Sequence, residues 1–438
     1  MASGYYVRLA AVLVAAALLG VTAYRPDAGR KAFEQADAGS RETLAQKSCP
    51  IGAAPLRAAF APIEDVLSIS PLGGVTAPDE PQPAPFIRIN TRKGETVFER
   101  RTTNALAPAR ADIVAIERRI DRNAEGVATS VSWTVRFKPC EDISVYYDRL
   151  DDIDEAILAR AGGLAAFAEL GGPDHLAIET AIRVREGDVI GTADGFDVGL
   201  YDQSAAPATM ARPERYDSNP YQHAEVLGAP ASLLKAIGPD LARARCAIDY
   251  LPKDKAAMWS AKLGDVWGMR SAKGENACRS ALADAPGAAQ GAWFTDASHN
   301  ALTNKVSAIA LAPDAIDPDR LIFALHGRLK SLKPEMVALA PMLEDERKKA
   351  AQDFLTFERG EGRINPSFDK VREGDVYCYQ KLRANFVGPK INGVMLMQLS
   401  EAENGAALMK LEARADASSC IDLAEPWTFS GAETTFYR

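Results

Sequence analysis

The sequence predicts a β-rich α+β protein, mainly β with some helix, in which a first β domain is followed by a second, mostly β domain. Three observations lead there. Short runs of alternating or β-branched residues recur from residue 86 to the end, Gly-containing turns separate them, and few stretches carry apolar residues at helical spacing. The chain has 438 residues, 47% apolar and 25% charged, which is ordinary for a globular protein and enough for two or three cores.

Residues 1–24 open with a short segment containing Arg8 and continue as an apolar run from Leu9 to Ala23 that closes on Val21-Thr22-Ala23. At about fifteen residues the run is short for a membrane span and has the layout of a secretory signal peptide or an uncleaved anchor. Residues 25–60 read as a spacer, with Arg30 to Gln46 rich in Ala, Glu, Lys and Arg but poor in apolar side chains. Pro78 to Pro85 is an entry loop.

Within the first domain, residues 61–205, strands are expected over Phe86–Ile89, Asp112–Glu117, Val131–Phe137 and Ile143–Tyr147. The stretch Asp151–Leu170 has helical spacing, acids at its start and Gly171-Gly172 at its end, and is expected to form a helix. Gly187-Asp188 marks a turn, and Gly195 reverses the chain into the following strand. Residues 206–245 form a junction with Pro207, Pro213, Pro220 and Pro230 before an Ala/Leu-rich helix.

The second domain, residues 246–438, is expected to hold strands at Val306–Leu311, Leu321–Leu325, Val376–Gln380, Gly393–Gln398, Ala407–Glu412 and Trp427–Phe429. A helix is expected across Pro341–Arg359. Trp259, Trp267 and Gln290-Gly291-Ala292-Trp293-Phe294 combine aromatics with turn residues, a pattern shared by core turns and by surfaces that stack on sugars or peptides.

The six cysteines, Cys49, Cys140, Cys246, Cys278, Cys378 and Cys420, are widely spaced and show no CxxC or Cys/His pairing. They read as disulfides made in an oxidising compartment, so the chain is expected to be periplasmic or otherwise extracytoplasmic. Pairing within segments favours Cys246 with Cys278 and Cys378 with Cys420, which leaves Cys49 for Cys140. A formal charge of −8 argues against a nucleic-acid partner, since phosphate binding needs a basic surface. Membrane contact is expected only through an uncleaved N-terminal segment. No P-loop, dinucleotide fingerprint or GxSxG elbow is present.

Four stretches fall in a suggestive order: Ala107-Pro108-Ala109-Arg110-Ala111-Asp112-Ile113-Val114, then Tyr146-Tyr147-Asp148-Arg149-Leu150, then Val184-Arg185-Glu186-Gly187-Asp188-Val189-Ile190-Gly191, then Phe196-Asp197-Val198-Gly199-Leu200-Tyr201. Over about residues 60–205 this order resembles the lysostaphin-type (LytM-like) peptidoglycan zinc endopeptidases, whose landmarks read APADGxVV, YxHL, VxxGDxIG and HLHFEV. The resemblance implies the family's small antiparallel sandwich, a duplicated hybrid motif. Zinc hydrolysis there needs His and Asp ligands around a metal-bound water. In this sequence Arg149 holds the YxHL position, Gly195 and Asp197 hold the HxH positions, and Phe86 to Thr103 contains no His.

The histidines His175, His223, His299 and His326 lack ligand spacing. Asp148, Asp194, Asp197 and Asp202 would suit calcium or magnesium better than zinc, and Arg149 would repel a cation. The resemblance therefore implies a pseudo-metallopeptidase without metal or cofactor, keeping a groove with Asp148, Asp194 and Tyr201 as candidate lining residues. Its expected partners are peptidoglycan or an envelope hydrolase. The competing expectation is an enzyme, with a displaced hydrolase site or a site in the C-terminal domain.

Overall fold

The computed structural model describes residues 44–49, 54–74, 84–91, 101–209, 211, 232–233, 241–274, 277–278, 285–297, 308–339, 344–352, 354–402 and 405–438. The signal-like segment, the spacer as far as Thr43 and most of the 206–245 junction lie outside these residues.

The first part contributes β1 (Val66–Ser70), β2 (Phe86–Thr91), β3 (Thr103–Leu106), β4 (Ala111–Arg122), β5 (Ala128–Lys138) and β6 (Ile143–Leu150). It continues with β7 (Asp152–Ile153), β8 (Ala168–Glu169), β9 (His175–Val184), β10 (Val189–Ala193), β11 (Gly195–Asp202) and β12 (Ala244–Arg245). The main sheet runs β1-β2-β11-β6-β5-β4-β9-β8, with β12 also on β11, and β3-β10-β7 make a small second sheet. Alternation along each strand sends Ile87 and Ile89, Val135 and Phe137, Val145 and Tyr147, and Phe196 and Val198 into one core.

Helix α2 (Lys253–Ser260; α1 is Glu155–Arg160) supplies Trp259 to that core, edge-on to Phe60 at 4.9 Å. Phe137 and Phe196 flank Tyr147 at 5.0 and 5.2 Å, and the Tyr147 hydroxyl donates to the Leu106 carbonyl at 2.6 Å. Fully burying rings of this size is worth roughly 2–3 kcal/mol each, so the aromatic stack is the main glue between sheet and helix.

The second part contributes β13 (Gly291–Phe294), β14 (Ala308–Pro313), β15 (Arg320–Ala324), β16 (Leu355–Glu358) and β17 (Val376–Tyr379). It ends with β18 (Arg383–Ala384), β19 (Val394–Glu401), β20 (Ala407–Arg414) and β21 (Thr434–Tyr437). They form one sheet in the order β17-β19-β20-β21-β13-β14-β15-β16-β18. Its core centres on Phe323, Phe357, Phe368 and Tyr379, with Phe323–Phe368 at 4.9 Å and Phe357–Tyr379 at 5.0 Å. The fold is thus β-rich α+β, as the strand spacing predicts.

Three expectations need correction. The helix expected over Asp151–Leu170 is only α1, six residues capped by the Asp154 carboxylate on the Ala156 and Ile157 amides. Gly162 and Gly163 stop it with φ of 92° and 73°, and the flanks pair as β7 and β8. The helix expected over Pro341–Arg359 is α3 (Glu344–Gln352), and Leu355–Glu358 joins the sheet as β16, where Leu355 and Phe357 are buried. Trp427–Phe429 forms no strand. Trp427 packs beside Cys378 and Cys420, and Arg414 takes the Thr428 carbonyl at 2.9 Å, so the alternation there reflects packing.

Disulfides link Cys49 to Cys140, Cys246 to Cys278 and Cys378 to Cys420, the pairs that segment proximity favours. Such bonds belong to an oxidising, extracytoplasmic environment. No helix among the described residues is long and apolar enough to cross a membrane. The first core continues through Ile248, Trp259 and Cys278, and the second begins at Ala289.

Candidate functional site

Strands β6 and β11 lie side by side with Asp148 opposite Asp197, Tyr147 opposite Val198 and Tyr146 opposite Gly199. Because side chains alternate, sending Tyr147, Phe196 and Val198 into the core puts Asp148 and Asp197 together on the opposite, polar face. Arg88 of β2 sits across from Asp197 on its other side. Its Nε donates to Asp197 Oδ1 at 2.6 Å and its Nη2 to Oδ2 at 3.0 Å, a two-point clamp on a carboxylate that is only 2% exposed. Burial pushes the Asp197 carboxyl up to about 6, and the Asp148 charge adds to the rise, while Arg88 and Arg149 oppose it.

Asp148 Oδ1 accepts from the Thr134 hydroxyl at 2.5 Å and from the Arg149 amide at 2.9 Å. Arg149 follows with φ of 65°, a left-handed conformation rarely taken by a long side chain, and is exposed. Two residues on, Asp151 Oδ2 accepts the Asp194 amide at 2.8 Å. Burial, reinforced by the Asp194 charge, raises the Asp151 carboxyl, and the Asp194 amide and Arg149 hold it back. The Asp194 carbonyl in turn accepts from the Thr91 hydroxyl at 2.7 Å. Gly195, with φ of 141°, then starts β11.

The strand ends therefore gather Asp148, Arg149, Asp194, Gly195 and Asp197, and add Arg88, Thr134 and Asp151. Tyr201 is elsewhere. It lies four residues along β11, about 13 Å away at strand rise, buried with its ring 5.5 Å from Tyr146. Arg88 is the residue that sequence reasoning missed, and its signal was a single cation inside the alternating strand Phe86-Ile87-Arg88-Ile89.

Further along the same face Glu117 is a second buried hub, 3.1 Å from His175 Nε2, 3.4 Å from Arg136 Nε and 3.6 Å from Arg119 Nη2. Burial would raise its carboxyl, but the His175 hydrogen bond and the Arg136 and Arg119 charges outweigh that and lower it to about 2. His175 is thus a hydrogen-bond partner of Glu117, His326 sits in a turn with φ of 45°, and His223 and His299 lie outside the described residues. Among the described residues no group of three or more His, Cys, Asp or Glu side chains is disposed to hold a metal ion.

In the second part, Trp293 is fully buried, with its Nε1 donating to the Ala289 carbonyl at 2.8 Å, and Trp259 is fully buried in the first core. Neither presents a ring for stacking, whereas Trp267 is partly exposed. A cavity of ≈ 190 Å³ beside Trp293 is lined by Leu399, Ser400, Ala407 and Arg438. The Arg438 guanidinium lies over the Trp293 ring at 4.2 Å and donates to the Gln290 and Ala288 carbonyls, so it acts as a structural plug.

Compared with family models, with curated proteins and with solved structures, the chain matches none of them.

Proposed function

We propose that this is a non-catalytic binding protein of the bacterial cell envelope, which holds peptidoglycan or a wall-processing partner at the surface formed by Asp148, Arg149, Asp151 and Asp194. The observation that carries this reading is the Arg88 clamp. Asp197, at a position where the resembled endopeptidases place a ligand histidine, has both oxygens committed to a guanidinium. A metal ion entering there would have to displace a paired cation from a carboxylate that is out of water. Arg149, at the YxHL position beside it, adds a further positive charge.

The disulfide framework supports an exported chain, and the mixed charges at the strand ends suit a peptide-bearing polymer that carries both carboxylates and amines. The resemblance in motif order is the reason for naming the cell wall. The test is incubation of the purified protein with isolated sacculi, followed by assay of the pellet for protein and of the supernatant for released muropeptides. Binding without release, unchanged by added zinc, is the expected result. Zinc-dependent release would overturn the reading, and absence of binding would remove the cell wall as ligand.

A further inference from the structure

Among the described residues the Arg149 guanidinium has no hydrogen-bonded or ion-paired partner, although acids lie close along both strands. Each of those acids is engaged otherwise. Asp197 is held by Arg88, Asp148 by the Thr134 hydroxyl and the Arg149 amide, and Asp151 by the Asp194 amide. Arg149 is also the one residue of this cluster, apart from Gly195, with a positive φ, and the Asp148 carboxylate receives its amide in that conformation. A left-handed Arg is disfavoured unless its surroundings enforce it, and such positions concentrate at ligand sites.

We propose that Arg149 receives the terminal carboxylate of a short zwitterionic peptide, whose ammonium group is taken by the exposed carboxylates of Asp151 and Asp194. This rests on the reading of the surface as a binding site. The planar fork of a guanidinium fits carboxylate and phosphate equally well. The difference lies in the surroundings: a phosphate dianion would meet Asp148, Asp151 and Asp194 at close range, whereas a carboxylate carrying its own ammonium satisfies both signs. Asp151 and Asp194 are both exposed and joined through the Asp194 amide, so the two acids and Arg149 are held on one rim.

The experiment is calorimetric titration of the full-length protein with alanyl-alanine in its stereochemical forms, with its C-terminal amide and with its N-acetyl derivative. The free dipeptide is expected to bind, and amidation or acetylation to weaken it by about tenfold or more, the worth of one charge-assisted pair. Arg149→Asn removes the cation but suits a left-handed backbone, so it should fold at least as stably as the parent while losing the same affinity and its sensitivity to amidation. Undetectable dipeptide binding, equal affinity for the amide, or an unaffected Arg149→Asn protein would each overturn the assignment. Sedimentation with sacculi separates the two readings: sacculus binding without dipeptide binding sinks this inference alone, and dipeptide binding without sacculus binding sinks the cell-wall reading alone.

Discussion

Two buried carboxylates on the polar face of the first sheet are tuned in opposite directions, and the sign of each can be read from stability against pH. For Glu117 the His175 hydrogen bond and the Arg136 and Arg119 charges win over burial, and the folded carboxyl lies at about 2, below its ordinary 4.5. The unfolded chain therefore binds the proton first on acidification. The stabilisation is complete above about pH 4.5 and disappears as pH falls through 2, with a size on the order of 3 kcal/mol. For Asp197 burial wins and the folded carboxyl rises from 3.8 to about 6. Here the folded state holds the proton longer, so stability is greatest below about 3.8 and declines by a comparable amount, on the order of 3 kcal/mol, as pH rises through 6. Urea denaturation from pH 2 to 7 on the parent, Glu117→Gln and Asp197→Asn should show the first variant losing the acid limb and the second losing the decline between 4 and 6. An unchanged profile in either variant would refute the corresponding account.

At the scale of elements, cross-strand fit between β6 and β11 depends on Gly199. A Cβ at this position would stand 1.9 Å from Tyr146 Cε1, because the Tyr146 ring lies across the glycine and against Tyr201. Gly199→Ala must expel that ring, and a loss of about 2–4 kcal/mol in unfolding free energy is expected. A loss below about 1 kcal/mol would mean that the ring does not lie there. The hairpin of β4 and β5 behaves differently: from Asp121 to Val131 it is exposed throughout, and β6 pairs with β5 only as far as Trp133. Amides of this arm should exchange with deuterium at least about a hundredfold faster than those of Ile113–Glu117, since a two-stranded ribbon gains little from burial. Equal protection would show that something packs on the arm.

The strands were legible because alternation and burial coincide, as in Val145, Tyr147, Phe196 and Val198. The long helix after Asp151 was not, because Gly162 and Gly163 break it at a point that apolar periodicity does not mark. Arg88 was not, because its pairing with Asp197 crosses more than a hundred residues, a |i−j| of 109, and exists only once β2 has docked on β11.

For the whole molecule, the two cores communicate through residues 265–273 and 314–317. Arg270 lies at that junction. Its Nη1 donates to Asp314 at 3.0 Å, its Nε lies 3.3 Å from Asp265, and its guanidinium sits 4.0 Å over the Phe386 ring. Lys273 adds a salt bridge to Asp317 at 2.7 Å and a backbone bond to the Ile316 carbonyl at 2.8 Å. The weight falls on Arg270, because Asp314 is 4% exposed and Asp317 and Lys273 are more open to water. Burial already raises the Asp314 carboxyl despite the Ile316 amide and Arg270.

Arg270→Ala would leave that acid buried without its cation, at a cost of about 3–5 kcal/mol. The loss falls on the contact between cores and leaves both aromatic centres, around Tyr147 and around Phe323, intact. Each core also retains its own disulfides, since Cys49–Cys140 and Cys246–Cys278 belong to the first and Cys378–Cys420 to the second. The parent should therefore unfold in one thermal transition and Arg270→Ala in two, of which only the second-core transition follows the environment of Trp293 and Trp427. Arg270→Ala with Asp314→Leu should restore a single transition, because an apolar pair of similar volume removes the unpaired charge. A single, merely lowered transition in Arg270→Ala would place the coupling between the cores elsewhere than in this cation.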